Sequence, residues 1–244
     1  CNFVECHANG NGGAINANNF NTLDSKFCCF TNCSMYENGY GGAIYTKNGQ
    51  YGNLSFVSAV NCINTASMAE GAIFDMQIMQ KIYTSNANIT KGKAKFCAGM
   101  EFRNSMFGFF RFQSLSNLEG KFSTSFTKLQ NSVEISLCNY ENNRVTWPDV
   151  TSNDKAGLVT VRFNSVTISK FSFVNTQFEN ENCLIASYHL AEVFLTDCVS
   201  NCNEKNKYSQ VNSTINCNFS YPSGQVPLQS IEQLNLGECK GAKT

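Results

Sequence analysis

Cysteine offers this chain more chemistry than any other residue type. Thirteen cysteines occur in 244 residues, and a cysteine can form a disulfide, bind a metal or act as a nucleophile. Their spacing favours disulfides, because the interval from Cys1 to Cys28 is the same as the interval from Cys6 to Cys33. This repetition predicts that each pair meets across adjacent turns of a repeating structure, where stacked strands place Cα atoms about 4.8 Å apart, within bridging range.

Other cysteines leave the pairing open. Cys33 is separated from Cys62 by a similar interval, so it has two candidate partners, and Cys198 and Cys202 are close enough to close a small loop. Thirteen is an odd number, so at least one cysteine has no partner within the chain, and several could instead be buried thiols that pack as small hydrophobes. The cysteine content favours an oxidising compartment. The disulfide candidates are Cys1, Cys6, Cys28, Cys29, Cys33, Cys62, Cys198 and Cys202.

Catalytic and metal-binding patterns are weak. The two histidines, His7 and His189, lie far apart in the chain, which disfavours histidine catalysis and zinc binding through histidine. No paired CxxC spacing and no phosphate-binding loop occurs, so we predict no metal and no cofactor. Glu5, Glu37 and Glu70 share no position in the repeat described below, and Asp149 and Asp154 lie in a predicted loop. We therefore predict that these are solvated turn charges and not the acid pair of a glycosidase.

Five sequons could accept N-linked glycans in a eukaryotic secretory pathway. Each has the form Asn-x-Ser/Thr without proline. The chain is rich in Asn, Ser and Thr, so a similar number is expected by chance, and only the cysteine content makes these sites worth testing. The candidates are Asn32, Asn53, Asn88, Asn212 and Asn218.

The element that must position these residues is a repeat. Gly13, Gly42 and Gly71 each precede an Ala-Ile pair and recur at a constant 29-residue interval. Extending this interval gives weaker registers near Gly99, Lys128, Gly157, Ala186 and Ile215, which makes eight in all. A fixed period of roughly 20–50 residues indicates units that must stack to bury their apolar faces. The motif residues are Gly12, Gly13, Ala14, Ile15, Gly41, Gly42, Ala43, Ile44, Gly71, Ala72 and Ile73.

The residues between these motifs predict strands. Polar and apolar residues alternate in LVTVRFNSVTISKFSFV, and Asn and Gly punctuate the runs. A propeller blade needs roughly 40–50 residues, whereas a 29-residue unit suits one coil of a parallel β-solenoid. Ala14, Ala43 and Ala72 should then form one column and Ile15, Ile44 and Ile73 the next. Phe107, Phe109, Phe110 and Phe112 should thicken the aromatic core.

These motifs resemble a known family. Two units of this chain are similar to the paired FxxN and GGAI tetrapeptides of polymorphic outer-membrane proteins. The first unit is Phe3–Cys6 with Gly12–Ile15, and the second is Phe30–Cys33 with Gly41–Ile44. In this chain no Phe has Asn three residues later, and Cys takes that place in both clear copies, which moves the likeness toward the cysteine-containing surface proteins of trichomonad-type protists. The resemblance implies a right-handed parallel β-helix that is exposed on a cell surface and adhesive.

Proline positions and composition indicate the extent and class of the domain. Pro222 and Pro227 interrupt strand pairing, so we predict an all-β, right-handed parallel β-helix of about eight coils over residues 1–220 and a cap or linker over residues 221–244. Basic and acidic residues number 18 each, which gives no basic footprint for nucleic acid. No apolar stretch is long enough to span a membrane. The chain begins inside a repeat, so we expect either further coils upstream or a partner docked on that end.

Two functions follow from these observations. The first is a non-catalytic extracellular or cell-surface module that acts in adhesion or as a segment of a longer rod or filament. Its partners would be a protein or glycan surface, or neighbouring repeats of the same assembly. The alternative is a carbohydrate-active β-helix enzyme of the polysaccharide lyase or hydrolase type, which would need a column of acidic or basic residues at one register. We prefer the first because the sequence alone reveals no such column.

Overall fold

The chain forms a parallel β-solenoid. A computed structural model describes residues 1–37, 39–65, 72–131, 133–146, 157–162, 165–178, 183–188, 191–201, 208–209 and 211–231. Every strand pair in this part of the chain is parallel, and none of its residues is helical. The predicted all-β, stacked architecture is confirmed. The coils make about six turns, fewer than the eight that a constant interval predicts.

Two sheets build the solenoid. The 15-stranded sheet contains β1 (Asn2–Val4), β3 (Ile15–Thr31), β5 (Ile44–Val60), β7 (Phe74–Thr90), β9 (Cys97–Ser105), β10 (Phe107–Ser116), β12 (Ser123–Leu129), β13 (Val133–Glu141), β15 (Gly157–Arg162), β16 (Ser165–Val174), β18 (Cys183–Tyr188), β19 (Glu192–Thr196), β20 (Val199–Ser200), β21 (Tyr208–Ser209) and β22 (Ser213–Ile215). The seven-stranded sheet contains β2 (His7–Ala8), β4 (Ser34–Met35), β6 (Ile63–Asn64), β8 (Lys93–Ala94), β11 (Glu119–Gly120), β14 (Arg144–Val145) and β17 (Gln177–Phe178).

Residues with positive φ form the corners of the coils. Nineteen of the described non-glycine residues have φ between 49° and 57°, and the strand registers stack them in three columns. Asparagine is frequent because it tolerates the left-handed conformation better than other residues with a Cβ. The first column is Asn19, Asn48, Ile78 and Asn104; the second is Phe27, Phe56, Asn86, Phe112, Leu137, Lys170, Asp197 and Asn216; the third is Glu5, Asn32, Asn61, Lys91, Asn117, Asn142 and Asn175.

The constant interval holds for one step and then drifts. Ile15 pairs with Ile44 as predicted, but Ile44 pairs with Phe74 and not with Ile73. The second coil is therefore one residue longer than the first, and the predicted Ala72 and Ile73 columns are wrong by one position. The next step, in which Phe74 pairs with Met100, is shorter than either. Insertions and deletions in the turns change the length of a coil, while the same side chains of each strand still point into the core.

The core is a continuous stack of inward-facing apolar side chains. Phe102 and Phe110 stack with ring centroids 4.0 Å apart, and both are buried. The prediction that all four phenylalanines of MFGFFRFQ are core residues is wrong. Phe107 is 43% exposed and Phe109 is partly exposed, because alternation along β10 turns both away from the core. Phe112 is a partly exposed corner residue.

The described part of the predicted tail, residues 221–231, packs along the side of the solenoid. The last strand, β22, ends at Ile215, close to the predicted boundary at residue 220. Beyond it, the Gln229 N–H donates to Asn139 Oδ1 at 2.8 Å, and Asn139 Nδ2 donates to the Gln229 carbonyl at 2.9 Å. The Ser172 hydroxyl donates to the Pro227 carbonyl. This segment therefore binds two coils laterally.

Candidate functional site

A groove lined by lysines lies along the seven-stranded sheet. Its volume is about 480 Å³. Among the described residues, three lysines and one glutamate contribute to its walls, so this described lining carries an excess of positive charge although the whole chain has equal numbers of basic and acidic residues. The lining residues are Ile63, Asn64, Thr65, Lys93, Ala94, Lys95, Glu119, Gly120, Lys121 and Thr146.

Stacking of short strands brings these charges together. Lys93 in β8 pairs in register with Glu119 in β11, and their charged atoms lie 3.1 Å apart. Both side chains keep about half of their surface exposed, at 65% and 45%. Lys121 follows β11 directly and is exposed, as is Lys95. The sequence separation between paired residues of β8 and β11 is shorter than the early repeat interval. The constant interval therefore does not predict this cluster.

A second cluster of charges is buried on the outer side of β7 and β9. Alternation along β7 places Phe74 and Met76 in the core and Asp75 on the opposite face. Asp75 pairs in register with Glu101, and neither side chain is exposed. The sequence alone does not reveal this adjacent acid pair, because the two residues are not separated by the constant interval.

Arg103 neutralises much of this charge. Its Nη2 lies 3.2 Å from Asp75 Oδ2 and its Nε lies 2.9 Å from Glu101 Oε1. The guanidinium carbon sits 4.9 Å from the centre of the Tyr40 ring, and the Tyr40 and Tyr45 rings stack at 5.5 Å. Burial, and then the nearby Asp75 carboxylate, raise the pKa of Tyr45 to about 12. The arrangement is a paired ionic cluster that aromatic rings shield from water.

Three cysteines stack beside the third corner. The registers Val4 to Thr31 and Ser34 to Ile63 place Cys6, Cys33 and Cys62 in one column. Hydrogen bonding from Cys62 lowers the pKa of Cys33 to about 7, and the same bond, together with burial, raises the pKa of Cys62. All three are free thiols in the structure. The column matches the spacing that predicts a Cys6–Cys33 or Cys33–Cys62 bridge, and formation of either remains a prediction.

The remaining cysteine candidates fall into three groups. Cys1 lies opposite Cys28, because Asn2 pairs with Cys29. Cys1, Cys28 and Cys198 are free thiols in the structure, whereas Cys29 is disulfide-bonded. Cys202 lies outside the described residues, so the predicted Cys198–Cys202 loop remains a prediction.

The five sequons differ in accessibility. Asn53 and Asn88 are 7% and 9% exposed, and Asn53 Nδ2 donates to Asp24 at 2.8 Å. Asn32, Asn212 and Asn218 are exposed. In a eukaryotic secretory host, we expect glycans at these three sites and none at Asn53 or Asn88 in the folded protein, since a glycan there would break the coil stacking. Intact-glycopeptide mass spectrometry tests this, and full occupancy of Asn53 in soluble, folded protein would contradict it.

The GGAI motif has a steric basis. Gly12 and Gly41 have positive φ of 69° and 74°. A Cβ on the second glycine, Gly13, would lie 2.2 Å from the Gly42 carbonyl oxygen of the next coil. Ala43 and Ile44 are buried, whereas Ala14 and Ile15 are partly exposed in the first coil. Gly71 lies outside the described residues.

The other residues considered in the sequence are dispersed. Glu5 is an exposed corner residue and Glu37 lies in an exposed turn. His7 Nδ1 lies 2.6 Å from the Ser34 hydroxyl of the next coil, which is a contact between coils. Glu70, Asp149, Asp154 and His189 lie outside the described residues. Within the described ranges, no group of three His, Cys, Asp or Glu side chains could hold a metal.

Comparisons with protein families, with curated proteins and with solved structures find no match to this chain. The described part of the chain contains no helix with the length and hydrophobicity of a membrane span.

Proposed function

We propose that this chain is a non-catalytic extracellular or cell-surface module that acts in adhesion, or as a segment of a longer rod or filament, and that its lysine-lined groove binds an acidic glycan. The groove is the observation that carries the proposal. Lys93, Lys95 and Lys121 line the groove where short strands of neighbouring coils stack, and such a cationic surface suits a polymer with carboxylate or sulfate groups. The cysteine content supports an oxidising, extracellular setting.

Binding to a sulfated polysaccharide tests the groove. We expect the full chain to bind immobilised heparin more weakly as salt rises, since the contacts are between exposed charges. The double variant Lys93→Gln/Lys121→Gln should bind about tenfold more weakly, which corresponds to about 1.4 kcal/mol. The matched control is Lys81→Gln/Lys170→Gln, which removes the same charge from exposed lysines in the other sheet. Equal losses in both variants would indicate nonspecific charge attraction and would contradict the groove.

The alternative is a carbohydrate-active enzyme, and the register pairing of Asp75 with Glu101 favours it. Carboxylates on neighbouring coils could serve as acid and base. Their complete burial and their pairing with Arg103 support a structural role instead. Incubation with acidic polysaccharides decides between the two functions. Release of new reducing ends or unsaturated uronates that is lost in Asp75→Asn would favour the enzyme.

A further inference from the structure

One inward-facing column carries cysteines at both ends of the solenoid. It follows the second corner, and its registers are fixed by the strand pairs on either side. Cys1 and Cys28 occupy its first two positions. Cys198 and Cys217 occupy its last two. The intervening residues are Val57, Ala87, Gln113, Cys138 and Phe171.

Cys198 and Cys217 lie directly opposite each other. Thr196 pairs with Ile215, and Val199 forms a parallel bridge with Asn218. The two residues of each pair are separated by the same number of residues in the sequence. Cys198 and Cys217 have the same separation, so they are opposite each other in the register. The Asn218 N–H donates to the Cys198 carbonyl at 2.9 Å, so the two backbones are held at the separation of stacked strands. That separation, about 4.8 Å, lies within the Cα range of roughly 4.4–6.8 Å that a disulfide requires.

The two thiols also point the same way. Cys198 Sγ donates to the Thr196 carbonyl at 3.5 Å, and Cys217 Sγ donates to the Ile215 carbonyl at 3.3 Å. Hydrogen bonding from Cys198 lowers the pKa of Cys217 to about 7, and the same bond and burial raise the pKa of Cys198. Cys217 is partly exposed whereas Cys198 is buried. An external oxidant can therefore reach Cys217 first.

We propose that Cys198 and Cys217 form a disulfide that fastens the last coil to the one before it. Among the described residues, the coil that holds Cys217 pairs with the preceding coil only, so it gains most from a covalent link. The Cys217 thiolate attacks one sulfur of a small-molecule disulfide and displaces a thiolate. Cys198 then loses its proton and attacks the Cys217 sulfur, which releases the second thiolate. The protein loses two electrons and two protons, and the oxidant is reduced to two thiols.

Peptide mapping tests the pairing. The reduced full chain is incubated with oxidised glutathione at pH 7.5, alkylated without reduction and digested after glutamate. Cleavage at Glu204 and Glu232 separates Cys217 from the other cysteines but leaves Cys198 and Cys202 on one peptide, so the map is repeated with Cys202→Ser. We expect the cross-linked peptides in wild type and in Cys202→Ser, and their loss in Cys198→Ser. A Cys198–Cys202 bridge, or an alkylated Cys217 under these conditions, would overturn the proposal.

Cys138 is the internal control. It occupies the same column but lies between Gln113 and Phe171, so no described cysteine faces it on either neighbouring coil. We expect its buried thiol to stay reduced, so that alkylation after unfolding labels it, while Cys198 and Cys217 become oxidised. Amide hydrogen exchange of residues 211–217 should slow at least tenfold after oxidation, and exchange in β5 should not change. A cross-link that forms only in urea, together with oxidation of Cys138, would show that native stacking does not bring the pair together.

Discussion

Replacing Arg103 by leucine should lower the free energy of unfolding by about 3–5 kcal/mol, because removal of one partner leaves buried charges without compensation. Arg103 is the cation that contacts both Asp75 and Glu101, whose side chains have no exposed surface. Without it, two carboxylates on neighbouring coils repel each other in a medium of low polarity. The midpoint of urea denaturation, followed by circular dichroism, measures the effect.

Arg111 supplies the matched control. It contacts Glu134 at 2.6 Å, but both side chains are roughly two-fifths exposed, at 43% and 38%. Arg111→Leu should therefore cost no more than about 1 kcal/mol. The triple variant Asp75→Asn/Glu101→Gln/Arg103→Leu should regain most of the loss, since it removes the charges as a set. Equal losses for Arg103→Leu and Arg111→Leu would show that the buried cluster has no special energetic role.

Replacing Gly41 by alanine should lower the free energy of unfolding by about 2–4 kcal/mol through backbone strain and overpacking together. The residue has a φ of 74°, which disfavours a side chain. Its added Cβ would lie 2.2 Å from the Ile44 carbonyl oxygen, and this backbone atom belongs to the start of β5. Urea denaturation measures the total loss, and hydrogen exchange of β5 shows whether the damage begins there.

Two other glycines separate the two causes. Gly224 has a φ of 78° with nothing within 4 Å of an added Cβ, and Gly10 has open space without a positive φ. Gly224→Ala should therefore show the cost of the backbone conformation alone, about 1 kcal/mol. Gly10→Ala should change stability by no more than about 0.5 kcal/mol. If all three variants behave alike, the first glycine of the GGAI motif is not required by geometry.

The sequence by itself determined the architecture. Recurrence of the glycine, alanine and isoleucine positions at a constant 29-residue interval indicated a stacked repeat, because a unit this small must bury its apolar face against a copy of itself. Alternation of polar and apolar residues indicated strands, and the length of the unit excluded a propeller blade. The Cys1 to Cys28 and Cys6 to Cys33 intervals are equal to each other, and although they are shorter than the glycine interval, they match the observed registers on either side of the corner.

The tertiary structure alone decided which side chains meet in the later coils. Ile15, Ile44, Phe74 and Met100 pair in succession, and because their three steps differ in length, a fixed interval loses the register. Three pairs of side chains meet although their separation in sequence differs from the constant interval. They are Asp75 and Glu101, Lys93 and Glu119, and Cys198 and Cys217. The physical reason is that backbone hydrogen bonds between coils fix the strand register, while the turns absorb insertions and deletions at little cost.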